Sequence, residues 1–344
     1  MPDVGVSLHG ILHGIGQTPV IRRDAVLMSE VLEENKDYQQ GRLEDAKLRL
    51  SAMFADADDF AGRLSLLVSR LAVFVASGEC DAAYEALMKA LPVCSRALDR
   101  ENSLWTQRVG IISVMSIETI LSASVFDIPL IDAGVDDLPI ELKAHYGYLL
   151  AQRYIRMGNP AQAEGVAYAF LNIVGNSHPR SQVELLLTMA CATVMTGRVD
   201  EASTWFNRAW ELSDITGVVM PFVELNYAML GLQRRCLDMR QDERAKRIAT
   251  LVRRYHKGWF GLRQRCNLYD AGHSLTPLEM YTLMLVAYGW RNKEMATQLR
   301  ISENTVKHYL SNAYTKIGVH DRAGAREHID ASIHNAEFRY PRTT

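Results

Sequence analysis

The 344-residue sequence predicts an all-α protein, a superhelix of stacked helical hairpins followed by a compact four-helix tail. Three observations carry this. A Gly followed five residues later by Ala recurs at Gly41/Ala46, Gly78/Ala83, Gly158/Ala163 and Gly197/Ala202, with amphipathic sequence on either side. Residues 274–331 hold four short helical segments whose caps and turns can be read directly. Charge is partitioned along the chain: formal net charge is −11 over residues 1–233, +8 over 234–265 and +1 over 266–344.

Length alone suggests two or three domains at about 150 residues each. Residues 1–24 contain Gly10, Gly14 and Gly16 in a run that disfavours helix, so an extended arm is expected. His9 and His13 lie in that arm, but two histidines without further ligands make a poor metal site. The arm has no charged segment ahead of an apolar run, so it does not read as a secretory signal. No stretch of 18 uninterrupted apolar residues exists, and no membrane partner is expected. The five cysteines form no CxxC pair, which suits free thiols in a reducing, cytoplasmic setting.

Residues 25–257 read as the hairpin array. In each unit the Gly supplies the positive φ that stops one helix. Polar residues after it start the next helix, and the small Ala lets the pair approach closely. Gly41 to Gly78 is 37 residues and Gly158 to Gly197 is 39. A last, degenerate pair is expected at Phe222–Leu237 and Asp242–Tyr255. Residues 125–139 read as an irregular loop. This pattern resembles the tetratricopeptide repeat, a 34-residue helical hairpin, although the spacing is longer and the first-helix Trp is missing. The resemblance implies a concave surface that takes a protein, a peptide or a small molecule. The basic run at 234–265 suits a polyanion contact or, equally, a solvated helix face. Gly258, Gly261 and Gly272 mark residues 258–273 as a linker.

Residues 274–331 form the tail domain, and 332–344 trail behind it. Thr276, Pro277 and Glu279 have the spacing of a capping box with Pro at the first helical position. Leu283 and Ala287 face inward, and Gly289 stops the helix. Asn292 is expected to cap a second helix with Met295, Ala296 and Leu299 inside. Arg300-Ile301 turn the chain, and Ser302 caps a third helix. There Val306, Leu310, Ala313 and Ile317 share one face. A fourth helix at about 321–331 closes a helix-turn-helix. The outward residues of the third helix are Glu303, Asn304, Lys307, His308, Ser311 and Asn312. These polar side chains begin at a helix N-terminus, the arrangement that places base-reading groups in a major groove.

The tail closely resembles the LuxR-type helix-turn-helix of bacterial regulators. The matching residues are Leu275-Thr-Pro-x-Glu279, Ala287-x-Gly289, Asn292-Lys-Glu-x-Ala296, Leu299-x-Ile301-Ser302, Thr305-Val-Lys307, Tyr314, Lys316, Gly318-Val319 and Arg322. The resemblance implies that Lys307, His308 and Ser311 face bases. It implies that Asn292, Lys293, Thr305 and Lys316 contact or approach phosphates, and Arg291 adds a candidate phosphate contact. Tyr309, Arg291 and Leu278 depart from the usual residues, which leaves the preferred DNA sequence open. A helical array before such a tail resembles the C-terminal half of MalT-like regulators.

No GxxxxGK[ST] run is present, so the nucleotide-binding module of those regulators is not expected. Neither a phosphorylation receiver nor a nucleophile–base constellation stands out. The sequence therefore predicts no enzyme and no cofactor. It predicts a regulator whose partners are double-stranded DNA, an effector on the array and a second copy of the chain on paired half-sites. RNA polymerase is a further candidate partner. The competing reading is an interaction protein whose array binds another regulator while the tail has little DNA affinity. A hydrolase hidden in the helical body ranks last.

Overall fold

The computed structural model describes residues 36–56, 60–99, 101–126, 138–175, 178–239, 241–268 and 275–331. The arm at 1–24, the C-terminal segment at 332–344, most of the loop at 125–139 and residues 269–273 lie outside these. Every described element is a helix. A short α1 (Lys36–Gln39) precedes α2 (Leu43–Asp56), α3 (Phe60–Ser77), α4 (Cys80–Ala97) and α5 (Leu104–Leu121). Next come α6 (Ile140–Arg156), α7 (Pro160–Val174), α8 (Pro179–Met195) and α9 (Val199–Thr216). Two short helices, α10 (Met220–Glu224) and α11 (Leu232–Cys236), lead to the long α12 (Glu243–Arg265). The tail holds α13 (Pro277–Ala287), α14 (Asn292–Leu299), α15 (Glu303–Ile317) and α16 (Arg322–Ile329).

Neighbouring helices pack as antiparallel pairs: α3 with α4, α6 with α7, α8 with both α7 and α9. The hairpin turns follow the spacing read from the sequence. At Gly78 (φ +76°) the amide donates to the Val75 carbonyl, and Glu79 N–H donates to Phe74 O at 3.0 Å. This pair of bonds satisfies carbonyls that the helix end would otherwise orphan, and only Gly takes that φ without strain. The same pair recurs at Gly41, Gly158 and Gly197. The small residue five positions on is buried each time, as Ala46, Ala83, Ala163 and Ala202. Helix α8 is buried on all sides from Val183 to Met195, as expected of an apolar helix with neighbours on every face.

The array does not stay open. Helix α12 turns back and packs on α3, α4 and α5, while α10 contacts α1, α8 and α12. The ends are sewn together by bonds to main-chain carbonyls. Val219 N–H donates to Gln39 O at 2.7 Å, and Arg247 donates to Gln40 O. The strongest fastening is Arg263, whose side chain is fully buried. Its guanidinium donates to the Leu121 carbonyl, to Ser122 O at 3.2 Å and to Leu268 O at 3.1 Å. A cation at the C-terminus of α5 meets the negative end of that helix. The helices that close on one another line a partly open cavity of about 230 Å³.

Two local expectations are corrected. Gly258 and Gly261 are not in a linker, because α12 runs unbroken to Arg265. They are the points where α12 touches its neighbours: a Cβ at Gly258 would lie 2.8 Å from the Val75 carbonyl carbon, and one at Gly261 2.7 Å from Cys80 Cβ. The first helix of the last pair, expected at Phe222–Leu237, is two short helices, since Leu230 (φ +47°) and Gly231 (φ +85°) break it. In the basic run at 234–265, Lys246, Arg247, Arg253, Arg254, Lys257 and Arg265 are exposed on α12, as a solvated helix face requires, while several of its cations also pair within the fold. Arg235 pairs with Asp200, Arg244 with Asp214, Lys246 with Glu243 and Arg265 with Asp81. Arg244 also lies over Trp210 at 3.6 Å. Helix α3 has the length and mean hydropathy (1.5) of a membrane span. Its neighbours α2, α4, α5 and α12 identify it as a core helix of this body.

Candidate nucleic-acid interface

Helix α13 begins as its sequence requires. Thr276 Oγ1 accepts from Glu279 N–H at 3.3 Å, and the Glu279 carboxylate accepts from Thr276 N–H at 2.6 Å. Gly289 (φ +82°) ends the helix with the same paired bonds as the hairpin glycines. The cap of α14 sits one residue earlier than expected. Arg291 is the N-cap and Asn292 the first helical residue, with Arg291 N–H donating to Glu294 Oε2 at 2.6 Å. The turn into α15 is made by Arg300 in the left-handed region (φ +53°), with Ile301 N–H donating to Ala296 O at 3.0 Å. Ser302 caps α15 by accepting from Thr305 N–H at 3.0 Å, and Gly318 stops it.

Val306, Leu310, Ala313 and Ile317 form the buried face of α15. That face packs against α13, α14 and α16. On the opposite face Glu303, Asn304, Lys307, His308 and Ser311 are exposed. Asn312 is half-buried and lies 3.2 Å from His308 Nε2 through its amide nitrogen. Thr305 is half-buried, with its hydroxyl 2.7 Å from Ser302 Oγ, so it serves the cap as well as the surface. Arg291 and Lys293 are exposed at the start of α14. Asn292 Oδ1 accepts from Arg322 at 3.3 Å, and Arg322 also donates to Trp290 O at 2.7 Å. Arg322 therefore pins the start of α14 to α16.

Lys316 differs from the other cations of the set. Its ammonium lies 2.6 Å from the Glu279 carboxylate, whose side chain is only 4% exposed. Burial would raise the Glu279 carboxyl, but Lys316 and the Thr276 N–H hold it below the ordinary value. Lys316 thus ties the end of α15 to the start of α13. The sequence pattern contains no signal for this pairing, because the two residues are 37 apart.

The tail is also fastened to the helical body, a feature the sequence reading missed. Gln298 Nε2 donates to Leu230 O at 2.9 Å, and Arg234 Nε donates to Leu299 O at 3.2 Å. Arg300 donates to the carbonyls of Leu237 and Arg235. Gly231 lets α14 approach, since a Cβ there would lie 2.6 Å from Leu299 Cδ2. On the other side Tyr281 of α13 meets Tyr227, with ring centroids 5.6 Å apart. Tyr227 in turn contacts His256 and Trp259 of α12. These bonds use backbone carbonyls as acceptors, which no residue pattern announces.

Residues 273–328 match the family described as bacterial regulatory proteins, luxR family. The tail is therefore a LuxR-family domain. The chain is also similar to a probable transcriptional regulatory protein, SgaR, of Hyphomicrobium methylovorum. They are 42% identical over 71 residues, 21% of this chain and 33% of that one. The chain thus spans about a third of the length of that relative. No solved structure matches the chain.

Proposed function

We propose that this protein is a transcription regulator that binds double-stranded DNA by laying α15 in the major groove. The observation that supports it best is the exposed row Glu303, Asn304, Lys307, His308 and Ser311 on a helix rigidly capped at both ends. Such a row offers donors and acceptors to base edges from a fixed backbone. Arg291, Asn292 and Lys293 at the start of α14 supply phosphate contacts that set its register. Paired half-sites bound by a dimer follow from the usual geometry of this motif. The helical body takes a signal and controls how the tail is presented, a reading supported by the bonds from α14 and α13 to α11 and the Tyr227 cluster.

The test is retention of genomic DNA fragments by the full chain at two salt concentrations, with sequencing of what is retained. Enrichment of a paired half-site that weakens steeply with salt is expected, because phosphate contacts release counterions. Lys307→Glu should abolish retention. It should leave the melting temperature unchanged, because Lys307 is exposed. Retention equal to wild type in Lys307→Glu, or unfolding of that variant, would refute the assignment of α15.

A further inference from the structure

The cavity has a chemistry that nothing so far explains. It is bordered by α1, α3, α5, α6, α8, α10 and α12, is partly open to solvent, and has a volume of about 230 Å³, enough for a small organic molecule. Most of its wall is apolar, with Ile112, Met115, Leu142 and Leu149 among the lining side chains. Three carboxylates face it: Glu118, Glu184 and Glu224. Two of them have arginine partners. Glu118 lies 3.1 Å from Arg156, whose other nitrogen donates to Ser124 Oγ at 2.8 Å. Glu184 lies 3.6 Å from Arg180.

Among the described residues no cation lies within salt-bridge distance of Glu224. Its bonded partner is the Tyr38 hydroxyl, which donates to Oε1. Arg180 is near enough to act on it electrostatically but is the partner of Glu184. Glu224 keeps some accessible surface although protein surrounds it, because it faces the cavity. Burial pushes its carboxyl up to about 7. Tyr148 and Tyr255 line the same cavity, and each feels the Glu224 charge. A carboxylate bonded to a tyrosine hydroxyl, with two further tyrosines in the same wall, suits an organic ammonium: the carboxylate neutralises the cation and aromatic rings attract it.

The wall has one more contributor. Met280 and Met284 of α13 and Tyr288 at its C-cap line the cavity, so the LuxR-type tail supplies part of the pocket. Methionine adapts readily to an apolar surface. An occupant would touch the body and the tail at once.

We infer that this cavity is a binding site for a small organic amine, with its ammonium at Glu224 among Tyr38, Tyr148 and Tyr255 and its apolar portion against α13. Binding then biases the docking of the tail through Met280, Met284 and Tyr288. This coupling rests on the DNA-binding reading, whereas the amine site does not.

The full chain is titrated by calorimetry at pH 8 with phenethylamine, tryptamine, hexylamine and choline, each beside its alcohol or carboxylate counterpart of similar shape. At least one amine should bind saturably and at least tenfold more tightly than its counterparts. Glu224→Gln, which preserves shape and a Tyr38 bond, should weaken that amine at least tenfold. If that variant does not fold, Ala228→Leu tests the same site by filling the cavity without changing its charge, with the same loss expected. Amines that bind no better than alcohols, a preference for carboxylates, or binding that survives both substitutions would each overturn the site. DNA retention with and without the bound amine tests the coupling separately. An unchanged affinity refutes the coupling and leaves the amine site standing, while absent DNA binding in all states refutes the regulator reading alone.

Discussion

Replacing Gly258 by Ala separates two pictures of the segment after residue 257. In a flexible linker the change would be neutral. In an exposed helix it would stabilise by up to about 1 kcal/mol, the propensity difference between the two residues. The structure makes Gly258 a contact between helices. Its added Cβ would sit 2.8 Å from the Val75 carbonyl carbon and 3.0 Å from Val75 Cα, with the carbonyl oxygen nearer still. These are backbone atoms of α3 and cannot rotate away, so α12 must shift by roughly an ångström or more to clear the Val75 carbonyl oxygen. That shift disturbs the packing of Trp259 and Leu262 and the carbonyl bonds of Arg263. Overpacking of this kind costs about 1–3 kcal/mol or more, which outweighs the propensity gain and leaves a net loss of about 2 kcal/mol. Gly165 is the control, because it is helical in α7 with nothing within 4 Å of its Cβ position. Gly165→Ala should stabilise by about 0.5–1 kcal/mol. Urea unfolding followed by circular dichroism gives both midpoints. A midpoint for Gly258→Ala equal to or above wild type would refute the close contact of α12 on α3.

Three further predictions follow from the site and the cavity. Lys316→Met should cost about 1–2 kcal/mol of stability by leaving the buried Glu279 carboxylate unpaired; thermal unfolding at unchanged DNA salt slope would support this role, and a slope reduced by about one with no stability loss would refute it. Arg291→Ala should weaken binding equally on all DNA sequences, as a phosphate contact does, and a change in the enriched half-site would show that it reads bases instead. Stability should depend on pH with two opposing signs. Burial holds His145 at about 3 and His256 at about 4, so the unfolded chain gains protons first and stability falls as pH drops below about 6.5. Glu224, raised to about 7, does the reverse: its contribution is complete below about 4.5 and is lost as pH rises through 7, at a cost of about 3 kcal/mol. Glu224→Gln should therefore be more stable relative to wild type at pH 8 than at pH 4.5, and an unchanged difference across that range would refute a buried carboxylate with no cation against it.

The hairpin glycines show why so much of the fold was legible. A helix stop needs positive φ and a close helix pair needs a small side chain, so Gly41, Gly78, Gly158 and Gly197 and the Ala five residues on reveal the hairpins one residue at a time. The tail was legible for the same reason. Thr276, Glu279, Ser302 and Gly318 act through bonds within four residues, and the exposed face of α15 is the complement of its apolar stripe. The cap at Arg291 rather than Asn292 shows the limit of such signals, since neighbouring polar residues compete for one position.

Contacts between distant segments left no such mark. Gly258 and Gly261 look the same in a linker and in a tight helix crossing, and only the position of α3 and α4 distinguishes them. The arginines of α12 read as a basic stripe until Asp81, Asp214 and the carbonyls of α5 are placed beside them. Nothing near Glu224 in the chain foretells Tyr38, which donates to it from 186 residues away, or the methionines of α13 that complete its cavity. Local bonding rules operate over one helical turn, and they determined the helices, their caps and the candidate DNA-reading face from sequence alone. The closure of the array, the pocket inside it and the docking of the tail were decided only by tertiary packing, because each depends on which backbone atoms and charges arrive from far along the chain.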